Sequence, residues 1–399
     1  MKICTLDTLV CPVCKGFLNL QVFDLAHGLR NPKIEAKLCS YWCARYGLMQ
    51  PSSENLPDSC LACRTEEVMD GTLRCACGAW FPIIQGVPRL LPPELRHTLI
   101  DYYPSFFRYY EKSLPLLEKK EREDLTSALE IKGKENTIYR FSYEWNEFEH
   151  YDDDNFATGI GPIPEDFFKG KRILDAGCGA GRHAREALHL GAKEVFAMDL
   201  SNAVDAAFKN TITAGNIHVV QGDMFHLPFR PQSLDLIYSL YALPHTHNPP
   251  LAFQSMVPFL NSSGTIIVYL YNSQRWLSYK CLALMRGITT RLPNPWVRGL
   301  AFIIGAVDYY FLILPYRMTG GWKALHKRLT RFTPTHIMLY ATRTFKTCYT
   351  DWMDRLFYPY VHYYSREDVD HWLAQARLAD TDIITLENYG LVVRGTRCG

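Results

Sequence analysis

The stretch that most constrains the fold is RILDAGCGAGRHAREAL, which runs from Arg172 to Leu188. Its apolar start predicts a buried strand, its glycines a tight turn, and its alanine-rich end the first turns of a helix. At such a turn, free backbone amides and the positive end of the helix dipole face the bound group. The segment therefore predicts an α/β fold with a nucleotide-like cofactor at this turn.

The spacing of the glycines distinguishes between cofactors. Gly177, Gly179 and Gly181 form GxGxG, whereas a dinucleotide site requires GxGxxG. Asp175 precedes the turn, and an acid is tolerable there when no pyrophosphate has to be bound. A cationic sulfonium and a free amino group would favour it. The turn therefore indicates S-adenosyl-L-methionine rather than NAD.

The strands that follow end in residues suited to the same cofactor. In EVFAMDLS the strand ends at Asp199, before Leu200, and a carboxylate there can accept from both ribose hydroxyls. In IHVVQGDMF, Asp223 can accept from an adenine amino group while Met224 covers the ring. Ser239, in LDLIYSL, completes the predicted cofactor-binding set. Strands alternating with helices predict a parallel, doubly wound sheet.

Four segments, DAGCGAGRH, AMDLS, VVQGDMFHLPF and SLDLIYSLYALPHTHNP, occur in this order within about residues 138–272. Together they resemble class I S-adenosylmethionine-dependent methyltransferases, and most of all those of quinone biosynthesis and natural-product clusters. The resemblance implies a Rossmann-like seven-stranded sheet whose last strand is antiparallel, with the chain's tail supplying the final hairpin. A Rossmann-like domain with a decayed cofactor site is the alternative.

Eight of the thirteen cysteines form close pairs before residue 80, which in a cytosolic chain favours metal ligation over disulfides. Cys11 and Cys14 form CxxC, and Cys75 and Cys77 form CxC ahead of FPIIQGVPRLLP. These segments resemble the zinc ribbon of the small activator protein of tRNA and translation-factor methyltransferases. The resemblance implies a four-thiolate zinc site that stabilises the fold of this small domain. A role in gripping RNA is the alternative, but residues 1–96 have no basic surplus.

A second set of cysteines is an insertion relative to the simple ribbon. KLCSYWC and SCLAC carry Cys39, Cys43, Cys60 and Cys63. Four thiols in two knuckles predict a second zinc site, so one or two zinc ions are expected. A redox cluster, an iron–sulfur cluster and unliganded thiols remain alternatives, because four cysteines alone do not select the metal.

Three residues are candidates for catalysis. His245 lies where related methyltransferases carry the second histidine of an LHHTPDP-like turn, and it could accept a proton or fix the loop. Tyr143 belongs to YRFSYEWNEF, which resembles an FGYQW-type segment whose aromatic faces contact the sulfonium or pack the linker. Tyr364, with His362 and Tyr363, lies in DRLFYPYVHYYSREDVDHW, which resembles the sequence that follows the substrate lid in such methyltransferases.

Residues 281–350 hold ten lysines and arginines but one acid, Asp308. This basic and apolar segment is expected to be a helical lid insertion between strands five and six. It favours an anionic or amphiphilic acceptor and a peripheral membrane contact, and a helical cap with solvated charges is the alternative. The longest apolar run, about residues 300–314, is expected to be too short for a membrane span.

Composition changes divide the 399 residues into five predicted segments. They are a cysteine-rich zinc-ribbon domain (1–96), a helical and aromatic linker (97–165), the S-adenosylmethionine-binding core (166–272), the lid insertion (273–350) and a C-terminal helix with a strand hairpin (351–399). Residues 1–10 lack a secretory signal, so a cytoplasmic location, with membrane association as a variant, is expected.

These features predict a methyltransferase that acts on a small-molecule or lipid-like acceptor. RNA methylation guided by the ribbon and a non-catalytic cofactor-binding scaffold are the alternatives. The formal net charge of +2 excludes a nucleic-acid-binding polycation and makes nucleic acid the less favoured partner. No obligate protein partner is expected.

Overall fold

The computed structural model describes the chain in ten ranges. They are residues 1–26, 39–45, 47–49, 58–115, 125–147, 155–318, 337, 340–341, 343–386 and 390–398. Two compact units result. The larger comprises Met1–Glu149, Asp154–Gln274 and Tyr360–Gly399, and the smaller consists mainly of Arg275–Pro359.

The strands are numbered in chain order. The N-terminal ones are β1 (Leu18–Ala26), β2 (Trp42–Cys43), β3 (Leu48–Met49), β4 (Glu67–Cys75), β5 (Trp80–Ile84) and β6 (Val87–Leu90). The later ones are β7 (Arg172–Ala176), β8 (Glu194–Asp199), β9 (Ile217–Gly222), β10 (Leu234–Ser239), β11 (Leu260–Asn272), β12 (Tyr363–Tyr364), β13 (Leu378–Leu386) and β14 (Gly390–Arg397).

Seven of these strands form the expected α/β sheet, in the order β9–β8–β7–β10–β11–β14–β13. Neighbouring strands from β9 to β11 are parallel, and β14 is antiparallel to both β11 and β13. The Rossmann-like class, the antiparallel last strand and the hairpin from the tail are therefore confirmed. β7 and β9 are buried almost throughout, as expected for parallel strands covered on both faces.

The sheet does not stop at seven strands, as the sequence had led us to expect. Within the described part of the chain it has twelve, because β1, β4, β5 and β6 extend it beyond β9 and the short β12 pairs with β11. β6 pairs with β9 in parallel, with Arg89 opposite Gln221 and Leu90 opposite Gly222. An edge strand such as β9 exposes unpaired backbone groups, and β6 satisfies them. One sheet thus joins the N-terminal strands to the α/β core.

The helices are also numbered in chain order. They are α1 (Asp58–Thr65), α2 (Arg96–Tyr102), α3 (Pro104–Tyr109), α4 (Leu125–Glu147), α5 (Phe156–Ile160), α6 (Arg182–His189), α7 (Ala203–Thr211), α8 (Pro249–Met256), α9 (Trp276–Thr289), α10 (Asn294–Val307), α11 (Leu314–Met318), α12 (Phe345–Phe357) and α13 (Arg366–Gln375). The first turn of α13 has a capping box in which Ser365 and Asp368 each bond the other's backbone amide.

The smaller unit contains one long helix. α10 continues through a π-helical stretch, Asp308–Ile313, into α11, so that the helix runs from Asn294 to Met318 over 25 residues. The expectation that its apolar run is too short for a membrane span is wrong, because length and composition now suffice. The run was underestimated because Asp308 looks like an interruption. In the structure its carboxylate accepts from the indole N–H of Trp352 at 2.9 Å, and the helix continues.

Candidate active site

The glycine turn follows β7 and accepts only glycine. Gly177, Gly179 and Gly181 have φ angles of 87°, 51° and 82°, which lie in the left-handed region. A Cβ on Gly177 would lie 2.2 Å from that of Ala242, and one on Gly179 would lie 3.0 Å from the Trp145 ring. The turn is therefore enclosed by the loop after β10 and by α4.

Asp175, near the end of β7, is fully buried. Neither carboxylate oxygen makes a hydrogen bond of ordinary geometry within the described residues, although the Tyr238 hydroxyl lies nearby. Burial and the adjacent Asp199 carboxylate raise the pKa of Asp175 to about 8. A buried, unsatisfied carboxyl is costly and calls for a cationic or hydrogen-donating group. An ammonium group beside the turn would meet this need.

Asp199 connects the end of β8 to the glycine turn. Its carboxylate accepts from the backbone amides of Gly179, at 3.0 Å, and Ser201, at 2.8 Å. The Ser201 hydroxyl also donates to it, at 2.7 Å. Burial raises the pKa of Asp199 despite these bonds. The following residue, Leu200, offers its carbonyl to the Gln221 side-chain amide at 3.0 Å.

Asp223 already has partners, which the sequence did not reveal. The Lys134 ammonium lies 2.6 Å from its carboxylate, and Nδ1 of His226 lies 3.2 Å away. Burial would raise the pKa of Asp223, but the bonds from His226 and Lys134 hold it at about 2. Lys134 lies on α4, 89 residues away along the chain, so no local signal marks it. Met224 lies beside Gly177, where a Cβ on that glycine would meet it.

Ser239 ends β10 beside this site and is fully buried. Its hydroxyl and that of Tyr238 have no hydrogen-bond partner among the described residues. Tyr238 is opposite Asp175 in the pairing of β10 with β7. The Asp175 carboxyl and the buried hydroxyls of Tyr238 and Ser239 thus collect near the carboxyl ends of these strands. These residues fit a polar, partly cationic cofactor.

His245 lies in a short 3-10 turn after β10 and is buried. Its Nδ1 is 3.0 Å from the Tyr360 carbonyl, and its Nε2 is 3.2 Å from the Tyr271 hydroxyl. A carbonyl only accepts, so Nδ1 carries a proton, and Nε2 pairs with the Tyr271 hydroxyl. The sequence analysis missed Tyr271, which lies near the end of β11. His245 therefore bonds protein groups at both ring nitrogens.

The other two catalytic candidates lie in different settings. Tyr143 is half-buried on α4. The Tyr364 ring packs 4.5 Å from that of Trp372, and burial raises its pKa. The His362 amide donates to the Pro244 carbonyl at 3.0 Å. This bond joins the residue just before β12 to the 3-10 turn that carries His245. The catalytic roles of Tyr143 and Tyr364 stay predictions.

Four cysteines of the ribbon come together. The Sγ atoms of Cys11, Cys14, Cys75 and Cys77 all lie within 4.8 Å of one another. Cys11 and Cys77 are 3.8 Å apart, and Cys14 and Cys75 are 3.4 Å apart. Tetrahedral zinc with Zn–S bonds of about 2.3 Å requires sulfurs about 3.8 Å apart. The Gly16 amide, a donor to Cys14 Sγ at 3.4 Å, lowers the pKa of that thiol to about 7. The geometry fits one zinc ion.

The second set of cysteines forms no such cluster in the described ranges. Its members are Cys39, which is half-buried, and Cys43, Cys60 and Cys63, which are buried. The Asp7 carboxylate fixes the backbone here, because it accepts from the amides of Ser40, Tyr41 and Trp42 at 2.6–2.9 Å. A second zinc ion stays a prediction.

Two family models match the chain. Residues 174–268 match a methyltransferase domain, and residues 2–86 match Trm112p-like protein. The chain joins a methyltransferase domain to a Trm112p-like domain. The resemblance to S-adenosylmethionine-dependent methyltransferases with an N-terminal activator-like ribbon is thereby confirmed for these two segments. The methyltransferase match includes β8, β9 and β10 and part of β7 and β11.

Among curated proteins, the chain is similar to sterol 24-C-methyltransferase erg6 of Schizosaccharomyces pombe, with 26% identity over 182 residues, 44% of each chain. It is also similar to demethylmenaquinone methyltransferase of Thermobifida fusca, with 26% identity over 135 residues, 33% of this chain and 56% of the relative. The chain spans about half the length of the curated relatives it matches.

A solved complex of the Haloferax volcanii Trm112 methyltransferase activator with a candidate methyltransferase is also similar. Its identity is 14% and its TM-score 0.34, over 70% of this chain and all of that one.

Proposed function

We propose that this protein transfers a methyl group from S-adenosyl-L-methionine to a small-molecule or lipid-like acceptor. The observation that carries the proposal is the buried Asp175 carboxyl beside a left-handed glycine turn at the carboxyl ends of parallel strands. Ligands of open α/β sheets bind at these ends. When bound, S-adenosylmethionine supplies an electrophilic methyl group on its sulfonium sulfur.

The cofactor-binding roles follow the strand ends. Asp175 and the glycine turn would hold the amino-acid part, and Asp199 the ribose hydroxyls. Asp223 and Met224 would hold the adenine, with the Lys134 bond fixing the Asp223 carboxylate in one orientation. Leu200 and Ser239 would line the same cleft. The Trp145 ring over Gly179 would exclude water from the turn, which methyl transfer requires.

The acceptor side of the proposal is supported by aromatic rings around His245. The rings of Phe141 and Tyr271 lie 5.8 Å and 5.7 Å from its imidazole, and Tyr363 lies 5.9 Å from Tyr271. Aromatic faces bind flat or apolar molecules well. Two similar proteins are named for a sterol and for demethylmenaquinone, which are acceptors of this kind.

Proton removal, where the acceptor needs it, would pass through Tyr271. Because Nε2 of His245 pairs with the Tyr271 hydroxyl, the tyrosine oxygen is the group that an acceptor would touch. His245 would then be a positioning residue that holds Tyr271 and can take its proton. Tyr143 would contribute an aromatic face near the sulfonium, and Tyr364 would support β12 by packing on Trp372.

One zinc ion would bind Cys11, Cys14, Cys75 and Cys77 and would stabilise the β4–β5 hairpin that extends the sheet. Its role in the proposal is structural. Four thiolates leave a zinc ion no open coordination position, so no chemical step is assigned to it. A location in the cytoplasm belongs to the same proposal.

The experiment is methyl transfer with labelled cofactor. Purified protein is incubated with methyl-labelled S-adenosylmethionine and an extract of the producing cells, and RNA, protein, lipid and small-molecule fractions are counted separately. We expect label in the lipid or small-molecule fraction, and none with Asp175→Asn. Label in RNA would overturn the acceptor class. Cofactor binding without label in any fraction would support a non-catalytic scaffold.

A further inference from the structure

The described part of the smaller unit exposes an unusual amount of apolar surface. Ten of the nineteen large hydrophobic side chains that are exposed among the described residues lie between residues 284 and 318. On the helix Asn294–Met318 the most exposed are Trp296 (72%), Ile303 (61%), Phe311 (74%) and Met318 (74%), with Val307 between them. These five residues are called the apolar face below. A contiguous exposed apolar face on a soluble surface indicates a binding partner.

The opposite side of this helix is packed on protein. Val297, Ala301, Gly305 and Asp308 are buried at helical spacing. A Cβ on Gly305 would lie 3.2 Å from the Tyr349 Cα on α12, so the two helices are in close contact. Asp308 is tied to α12 through Trp352. The helix is therefore fixed with one side on α12 and the apolar face outward.

This arrangement favours a helix that lies on a membrane over one that crosses it. A helix that crosses a membrane alone has an apolar surface on all sides, whereas one side of this helix packs on α12 of the same unit and carries the Asp308 carboxylate. Only 28% of the most apolar 18-residue window of Asn294–Met318 is buried. The side of the helix that faces away from α12 is therefore free to contact lipid. Helices that lie in the interface bury one apolar face at the boundary of headgroups and acyl chains.

The charge of the segment selects the kind of membrane. Residues 281–350 contain ten basic residues and one acid, and that acid, Asp308, is buried. Arg291 and Arg317 are exposed at the two ends of the helix. Each lysine or arginine near an anionic lipid surface contributes attraction that salt weakens. The charges therefore complement anionic lipid.

We propose that the apolar face of Asn294–Met318 docks this protein onto anionic lipid membranes, with the helix parallel to the membrane surface. Apolar side chains enter the headgroup boundary, and exposed basic residues such as Arg291 and Arg317 contact the lipid phosphates. The proposal concerns the smaller unit alone and does not depend on which acceptor is methylated.

The first test is sedimentation of the full chain with vesicles of phosphatidylcholine, with or without phosphatidylglycerol. We expect binding to the anionic vesicles, weaker binding at high salt, and at least roughly a tenfold loss of affinity for the double variant I303N/F311N. The matched control is Tyr109→Asn, because Tyr109 is 81% exposed on α3 in the larger unit. It should bind as the wild type does. Circular dichroism checks that each variant is folded.

Three results would overturn the proposal. One is equal binding by the wild type and the folded double variant. Another is no binding to anionic vesicles, with a dimer in solution that the double variant makes monomeric, since a second copy would then cover the face. The third result comes from lipids brominated at different depths. The Trp296 fluorescence is the difference between the wild type and Trp296→Phe, and we expect it to be quenched most by bromines near the headgroups. Strongest quenching at mid-chain would mean deep insertion.

Discussion

At the scale of single residues, Asp175 is the group whose protonation matters most. The free protein keeps this carboxyl buried, so its pKa stands at about 8 against an ordinary 3.8. The folded state therefore holds a proton that the unfolded chain loses, and Asp175 lowers stability as pH rises from about 4 to about 8. A bound ammonium group would reverse this cost, because it favours the carboxylate.

Binding of S-adenosylhomocysteine should therefore depend on pH. Below about pH 8 the Asp175 carboxyl must lose its proton when the ligand binds. Each further drop of one pH unit should therefore lower the affinity by up to about tenfold. Titration calorimetry in two buffers of different ionisation enthalpy would measure both the affinity and the released proton. Asp175→Asn should bind weakly and show no such dependence. A pH-independent affinity in the wild type would contradict this reading of the site.

The roles of His245 and Tyr271 can be separated by one variant that removes the tyrosine hydroxyl and one that keeps a hydrogen-bond partner for it. Once the labelled acceptor fraction is known, Tyr271→Phe should lower the rate of methyl transfer by about 10²-fold or more if proton removal is needed, with cofactor affinity unchanged. His245→Gln keeps an acceptor for Tyr271 but cannot titrate near neutrality, so its rate should lose the wild-type pH dependence. An unaltered pH profile in His245→Gln would limit His245 to positioning.

At the scale of secondary-structure elements, the junction of β6 and β9 links the N-terminal strands to the candidate cofactor site. Arg89, with no exposed surface, donates to Gln221 at 3.1 Å and to Asp205 at 2.6 Å. Gln221 in turn donates to the Leu200 carbonyl and to the Asn202 side chain. One buried guanidinium thus holds the loop that follows Asp199.

Replacing Arg89 should therefore affect stability and cofactor binding together. Arg89→Met removes one donor from Asp205, which keeps its bond from Tyr103 at 2.7 Å. It also removes the only side-chain donor that the described residues offer to the Gln221 side-chain carbonyl, so stability should fall by about 1–3 kcal/mol. Urea unfolding measures this loss, and the affinity for S-adenosylhomocysteine should fall as the Leu200 loop loosens. Arg74→Met is the matched control, since Arg74 is exposed on β4 and should change stability by less than about 0.5 kcal/mol. Equal effects of the two variants would refute the link.

At the scale of the whole molecule, the continuous sheet makes the metal site relevant to the α/β core. The β4–β5 hairpin carries Cys75 at its turn and joins the core through β6. Loss of zinc should therefore destabilise the larger unit as a whole and not the ribbon alone.

Metal analysis tests this directly. We expect one zinc ion per chain, lost in the double variant C11S/C14S, with a lower unfolding temperature in a transition shared by far- and near-UV signals. Cys281→Ser, which changes an exposed cysteine of the smaller unit, is the control and should keep its zinc. Two zinc ions per chain would show that the second cysteine set is filled. Separate transitions for the ribbon and the core would contradict the shared sheet.

The sequence by itself determined the elements that depend on neighbours along the chain. Local backbone geometry requires several patterns that the sequence shows directly. These patterns are the glycine turn and the acid before it, the strand ends at Asp199 and Asp223, the CxxC and CxC knuckles and the terminal hairpin. For that reason the α/β class, the order of the strands' functional ends and the first cysteine cluster could be predicted without coordinates.

Only the tertiary structure decided the features that depend on partners distant in the chain. Lys134 meets Asp223, Tyr271 meets His245, and Arg89 meets Gln221 across 89, 26 and 132 residues. The extension of the sheet by β6 and the uninterrupted helix through Asp308 have the same origin. A buried charge or a sheet edge must be satisfied, but the sequence does not say by which distant group. Packing selects that group, because the satisfied arrangement also has to fill the core.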